Sequence, residues 1–258
     1  MITLGKNPDD RICNLCLNPV NLLSEDHVPP RCTGNNGEGI YSNCFTNLPI
    51  LTIPTSIYSE GISYRTICHG CNNLLGSRYD KAISKLYGTV RHSSKKLNIE
   101  LKIRPNAIMR GTMGHFIAAK TTHKMSVADE IFRQCTNQPE YEIPDTIHFY
   151  VIFNPLKEIR IIRDIMMMAG TNTDNASILN IIKIDPIAMI ISDKPFFGSF
   201  FMDWNCYTKI HWQKEIKIIL NLTDILPQGM PENDSRFVRL LGKYAYESIC
   251  ATIEKRTA

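Results

Sequence analysis

Residues 68–80 read CHGCNNLLGSRYD: two cysteines two residues apart, a pair of asparagines, and the start of an apolar repeat. A spacing of two lets one tight turn place both sulfurs on the same metal. Beyond Cys71, the residues Leu75, Tyr79, Ile83 and Leu86 recur at helical spacing, so a helix is expected to open at Asn72 and to end near Gly88. The partner of this knuckle lies upstream, in Cys13-Asn14-Leu15-Cys16. Together Cys13, Cys16, Cys68 and Cys71 supply the four soft ligands of a tetrahedral zinc site. Such a site closes a loop of about fifty residues. The first part of the chain is rich in Pro, Gly and Asn (NPDD, LNPVN, GNNGEG) and poor in periodicity, so a structural metal is the expected staple. A redox role for Cys13-Cys16 lacks the preceding strand and following helix that such a motif needs.

The two knuckles decide which other residues meet. SEDHVPPR (24–31) places Asp26 ten residues after Cys16, and Asn72 directly follows Cys71. A metal joining the knuckles brings a strand carrying Asp26-His27 against the helix that Asn72 opens. The carboxylate of Asp26 and the amide oxygen of Asn72 are hard ligands suited to Mg²⁺ or Mn²⁺, with Asn73 as the alternative to Asn72. On an extended strand His27 points away from Asp26, and an imidazole, with an ordinary pKa of about 6.5, can take a proton from water. That set of groups is a one-metal constellation for hydrolysing a phosphodiester. Arg65 and Arg78 flank it as candidates for contacting phosphate. Cys32 and Cys44 have no CxxC partner and read as free or buried thiols, Cys135, Cys206 and Cys250 as core, and His69 as lying outside the sulfur cluster.

CNLC (13–16), SEDHVPP (24–30) and RTICHGCNNLLGSRYD (65–80) together resemble the HNH nuclease superfamily, over roughly residues 10–88. The resemblance implies a zinc-stapled ββα-metal domain and an endonuclease that hydrolyses nucleic acid, DNA favoured. By it, His27 is the general base, Asp26 and Asn72 hold the catalytic Mg²⁺ or Mn²⁺, and the four cysteines hold structural zinc. Cleavage of P–O3′ would leave a 5′-phosphate. Bacterial proteins of this superfamily with similar HVPP and CxxCNN wording imply a setting in anti-phage defence. The superfamily's middle Asn, which buttresses the loop carrying the base, falls here on Ser63, with Asn43 and Asn47 as substitutes. The stretch between His27 and Cys68 is longer than the pattern requires and reads as a lid or a substrate-reading loop.

The 258 residues are 43% hydrophobic with a net charge of +4, enough apolar material for a folded core. Residues 1–12 lack an apolar signal region and no apolar run has spanning length, so a soluble, cytoplasmic protein without membrane contact is expected. Nine cysteines without a secretion signal favour metal binding over disulfides. The positive excess is local. Residues 91–110 carry six basic residues and one acid, and Lys95 and Lys96, with His92, Lys102 and Arg104, could neutralise phosphates. The alternation in LNIELKIRP suggests a strand with a basic face.

The fold class is α+β: an HNH domain over 1–90, a basic linker or strand over 91–110, and a mixed domain over 111–258. In the last, helices are expected at 114–120 and 124–135 and strands at 146–153, 158–165, 177–184, 186–192 and 215–222. An amphipathic helix is expected at 235–255. Its role is open between substrate binding, sensing and oligomerisation. His115, His123, His148 and His211 stand isolated in the sequence, and Trp204 and Trp212 read as core packing. Two other functions remain: a catalytically inactive zinc module that binds nucleic acid or protein, and an effector active only with a partner protein of a defence complex.

Overall fold

A computed structural model describes residues 2–5, 10–45, 56–93, 96–123, 126–169, 176–195, 201–223, 237–242 and 245–252. In the first part, β1 (Ile2–Gly5), β2 (Ser24–His27), β3 (Gly39–Asn43), β4 (Ser56–Tyr58) and β5 (Ile62–Ile67) precede a long helical run. That run comprises α1 (His69–Leu75), a π-helical segment (Gly76–Asp80) and α2 (Lys81–Ser93). The apolar residues read as a helical repeat are its buried face: Leu75, Tyr79, Ile83 and Leu86 are fully buried. Gly88 does not end the helix, which continues to Ser93. A single glycine costs a helix only about 1 kcal/mol, less than the packing of the adjacent Tyr87 and Val90 returns.

β5 is the centre of a three-stranded sheet, with β1 parallel on one side and β2 antiparallel on the other. The order β2, β5, α1 therefore gives two antiparallel strands followed by a helix, and α1 packs against β2. β3 and β4 leave this unit and join a larger sheet.

The second part supplies β6 (Asn98–Ile103), α3 (Pro105–Ala118), α4 (Val127–Asn137), β7 (His148–Phe153) and β8 (Glu158–Ala169). β9 (Ser177–Ile184), β10 (Ile187–Ser192), β11 (Met202–Asp203), β12 (Ile216–Asn221), β13 (Phe237–Leu241) and β14 (Ile249–Thr252) follow. The large sheet runs β11-β7-β10-β9-β8-β14-β3-β4, with β13 also on β8, and β12 pairs with β6. Strands read as continuous apolar runs lie in its middle; all six residues of β10 are buried, as a strand covered on both faces requires.

Among the described residues the helix expected over 235–255 is not formed: 237–241 and 249–252 are strands. β13 pairs with the second half of β8, and β14 lies between the first half of β8 and β3. The bulge in β8 at Ile162–Ile165 divides the two pairings, and the Gly242 amide bonds the Asp164 carbonyl there. Apolar residues spaced for a helix face also suit two short strands broken at a glycine, and the unpaired edge of β8 decides between them. α3 begins earlier than expected, at Pro105, and is buried along its whole length. Residues 91–110 are thus the end of α2, β6 and the start of α3. Arg110 is buried and donates to carbonyls of Cys135, Gln138 and Tyr141 rather than facing solvent. The exposed face of β6 is of mixed charge, with Glu100 paired to Lys217 and Lys102 to Glu215.

The boundary placed at residue 110 falls inside α3. One cluster of buried side chains runs from Cys13, Tyr64 and Leu75 through Ile108 and Phe116 to Val151 and Met189. The stretch read as a lid or reading loop contains β3, which pairs with β14 through Tyr41, Ser42 and Asn43. Among the described residues no helix is long and apolar enough to cross a membrane.

Candidate active site

The four knuckle sulfurs lie within 4.8 Å of one another, and Cys16 Sγ is 3.9 Å from Cys68 Sγ. A tetrahedron with metal–sulfur bonds of about 2.3 Å has sulfur–sulfur edges of roughly 3.8 Å, so the donor set fits one metal ion. Local structure explains the convergence. Leu17, at φ 59°, closes the first turn and bonds the Cys13 carbonyl. Cys68 caps α1, and its amide donates to Cys13 Sγ at 3.2 Å. The Asn14 side chain donates to the carbonyls of Ile117 and Lys120, anchoring the first knuckle on the end of α3. The Cys71 thiol donates to Cys13 and holds it at about 4, far below an ordinary thiol, while Cys71 is held well above. Among the described residues this is the one cluster of three or more His, Cys, Asp or Glu ligand atoms so close together. Cys32 and Cys44 lie outside it, His69 is exposed, Cys135 is core, and Cys206, read as core, is exposed.

β2 presents Asp26 and His27 to opposite faces. Asp26 is 5% exposed and faces inward, opposite Tyr64. His27 is half-buried, opposite Ser63, on the same face as Glu25 and Arg65. His27 Nε2 lies 3.1 Å from the Glu60 carbonyl oxygen. A carbonyl only accepts, so the neutral ring donates from Nε2 and keeps its lone pair on Nδ1. Asn72, in the first turn of α1, donates from Nδ2 to Ser24 Oγ (2.9 Å) and to the Glu25 carbonyl (2.7 Å). Among the described residues Asn72 Oδ1 accepts no hydrogen bond, and neither does Asp26 Oδ1. Asn73, the alternative, is exposed.

Among the described residues, neither Ser63, where the resemblance would place the middle Asn, nor its substitute Asn43 lies against the loop leaving His27. Ser63 is buried, but its hydroxyl bonds Glu25. Asn43 lies in the large sheet, and Asn47 is outside the described residues. The loop leaving His27 is held by Asn35, fully buried in the glycine-rich insertion. It donates to the carbonyls of Pro29 (2.7 Å) and Ile62 (2.8 Å) and accepts from the Ile62 amide (2.7 Å). Ile62 follows Gly61 and Glu60, so the same side chain fixes the turn whose carbonyl orients His27.

His115, which stood isolated in the sequence, and Asp80 lie beside Asp26. His115, from the last turn of α3, is 1% exposed. Its Nδ1 lies 3.2 Å from Asp26 Oδ2 and its Nε2 2.9 Å from Asp80 Oδ1. Burial opposes a charge on this ring, but the two carboxylates outweigh it and raise His115 to about 10. No local motif announces it, because 89 residues separate it from Asp26.

The candidate phosphate contacts are dispersed. Arg65 is exposed and 3.6 Å from Glu25. Arg78 turns to the Asn137 carbonyl at 3.4 Å. Lys96 is exposed just before β6, and Lys95 lies outside the described residues. Trp204 is buried and stacks on Phe149, as core packing requires. The chain matches no family model, no curated protein and no solved structure.

Proposed function

We propose that the chain is a metal-dependent endonuclease of HNH type, with the four cysteines holding structural zinc. The observation that carries this reading is the division of labour on β2: an inward carboxylate with one oxygen that has no hydrogen bond among the described residues, beside an outward imidazole whose tautomer is set by a backbone carbonyl. Asp26 Oδ1 and Asn72 Oδ1 are the groups that would hold Mg²⁺ or Mn²⁺. That ion would supply Lewis-acid stabilisation of charge on the phosphate and leaving oxygen. His27 Nδ1 accepts the proton of the attacking water, the water oxygen bonds phosphorus, and the P–O3′ bond breaks, its electron pair leaving on O3′, which takes a proton from solvent to give a 3′-hydroxyl beside a 5′-phosphate. Arg65, on the face of His27, is placed to approach phosphate. DNA as the favoured substrate and a role in defence against invading DNA rest on the motif resemblance.

The burial of Asp26 against His115 favours a second reading, a non-catalytic zinc module in which Asp26 is structural. Plasmid DNA and RNA incubated with the purified protein in Mg²⁺, Mn²⁺ or EDTA separate the two. Metal-dependent cutting that His27→Ala abolishes supports the nuclease. No cutting, or cutting undiminished in His27→Ala, supports rejecting it.

A further inference from the structure

His115 reaches Asp26 from the end of α3, which packs against α1 and α4. A Cβ on Gly114 would come within 2.5 Å of Leu75 Cδ2 and 2.8 Å of Thr136 Cγ2, so a larger residue there would force those side chains or the helix to shift. The end of α3 is held again by the Asn14 bonds to the Ile117 and Lys120 carbonyls, and by Thr66 Oγ1 donating to the Ala118 carbonyl. The partner of His115 on its other side, Asp80, is the last residue of the π-helical segment. Such segments inside helices are common at functional sites. The imidazole is therefore clamped between β2 and the helical run. It occupies Asp26 Oδ2 and leaves Oδ1 without a hydrogen bond among the described residues.

We propose that His115 is a positioning residue for Asp26: by holding Oδ2 it presents Oδ1 alone to a divalent cation, and so makes α3 a working part of the metal site. The inference rests on the nuclease reading, because it assigns Asp26 to a cation. It requires only a donor at the place of Nδ1, which a neutral side chain can also supply. Outer partners of metal ligands commonly change affinity by about 10–100-fold when removed.

The test is a titration of the full zinc-loaded chain with Mn²⁺ alone, free Mn²⁺ being read by electron paramagnetic resonance. Wild type, Asp26→Ala, His115→Ala, His115→Asn and His115→Gln are compared, with thermal melts to confirm folding. Wild type should bind Mn²⁺ in a manner lost in Asp26→Ala. His115→Ala should bind at least about tenfold more weakly. His115→Asn, whose amide donates from near the place of Nδ1, should recover to within about threefold. His115→Gln, which extends toward Asp80 instead, should not. Wild-type affinity in folded His115→Ala overturns the proposal. Should His115→Ala not fold, equal affinity in the Asn and Gln variants overturns it. A wild-type chain with no Asp26-dependent Mn²⁺ site overturns the nuclease reading itself, a result distinct from the other two.

Discussion

Asn35 and Gly61 meet so closely that no side chain fits between them: a Cβ on Gly61 would lie 2.2 Å from the Asn35 carbonyl oxygen. Gly61 also holds φ +86°, a conformation other residues adopt only under strain. Together they set the turn that offers the Glu60 carbonyl to His27. Asn35→Ala would strand the Pro29 carbonyl and the Ile62 amide in a dry interior and leave the Ile62 carbonyl with the Val28 amide alone. We expect a loss of about 2–4 kcal/mol in urea unfolding. Gly61→Ala should cost stability and lower any nuclease rate together. Wild-type stability in both variants would remove Asn35 from its role as the buttress.

His27 and its neighbour Glu60 should respond in opposite ways to truncation. His27→Ala is expected to lower metal-dependent cutting at least about 100-fold, the usual worth of a positioned base. Glu60→Ala should stay within about twofold, since the contact uses the main-chain carbonyl and the replaced side chain makes none of it. Steady-state cleavage of a labelled duplex measures both. A large effect at Glu60 would mean that its carboxylate, rather than its carbonyl, acts on the imidazole.

The tetrathiolate should carry about one zinc per chain by atomic emission. Cys16→Ser should lower that content and broaden thermal unfolding, while Cys32→Ser, outside the cluster, should change neither. Because metal ligation requires thiolates, acidification should release the zinc, measurable with a chromogenic chelator. Full zinc retention in Cys16→Ser would break the assignment.

A buried lysine gives a pH signature independent of the active site. Lys183 is fully buried near the carbonyls of Leu156 and Glu158, with Glu158 Oε1 at 3.7 Å. Burial lowers its pKa from 10.5 to about 8, and Glu158 and Asp185 only partly offset the loss. Between these values the unfolded chain binds a proton that the folded chain does not, so stability rises with pH there. Wild type should therefore gain on Lys183→Met as pH climbs from about 8 to about 10.5, with a flat difference below 8. Urea midpoints across that range check it, and a difference falling with pH would reverse the sign assigned to Lys183.

The parts of the fold that were legible share one property: their signal is local. The CxxC spacing reports a turn, Leu75 to Leu86 report a helix face, and the runs at 148–153 and 187–192 report buried strands. Asp26 and His27 on opposite faces follow from the period of a strand. What failed was decided by partners distant in sequence. Residues 237–252 carry a helix-like spacing, yet two edges of β8 and β3 claim them as strands.

The sequence by itself determined that four cysteines would meet, that Asn72 would be carried to the strand of Asp26, and that His27 would face the other way. Turn geometry and strand alternation leave little freedom at those positions. Only the tertiary structure decided that Asn35 supports the loop leaving His27, that Glu60 orients the ring, and that His115 joins Asp26 to Asp80. Those contacts depend on α3 docking against α1 through Gly114 and on a turn closing at Gly61. No short stretch encodes such an approach, because it depends on how closely two separately formed elements pack.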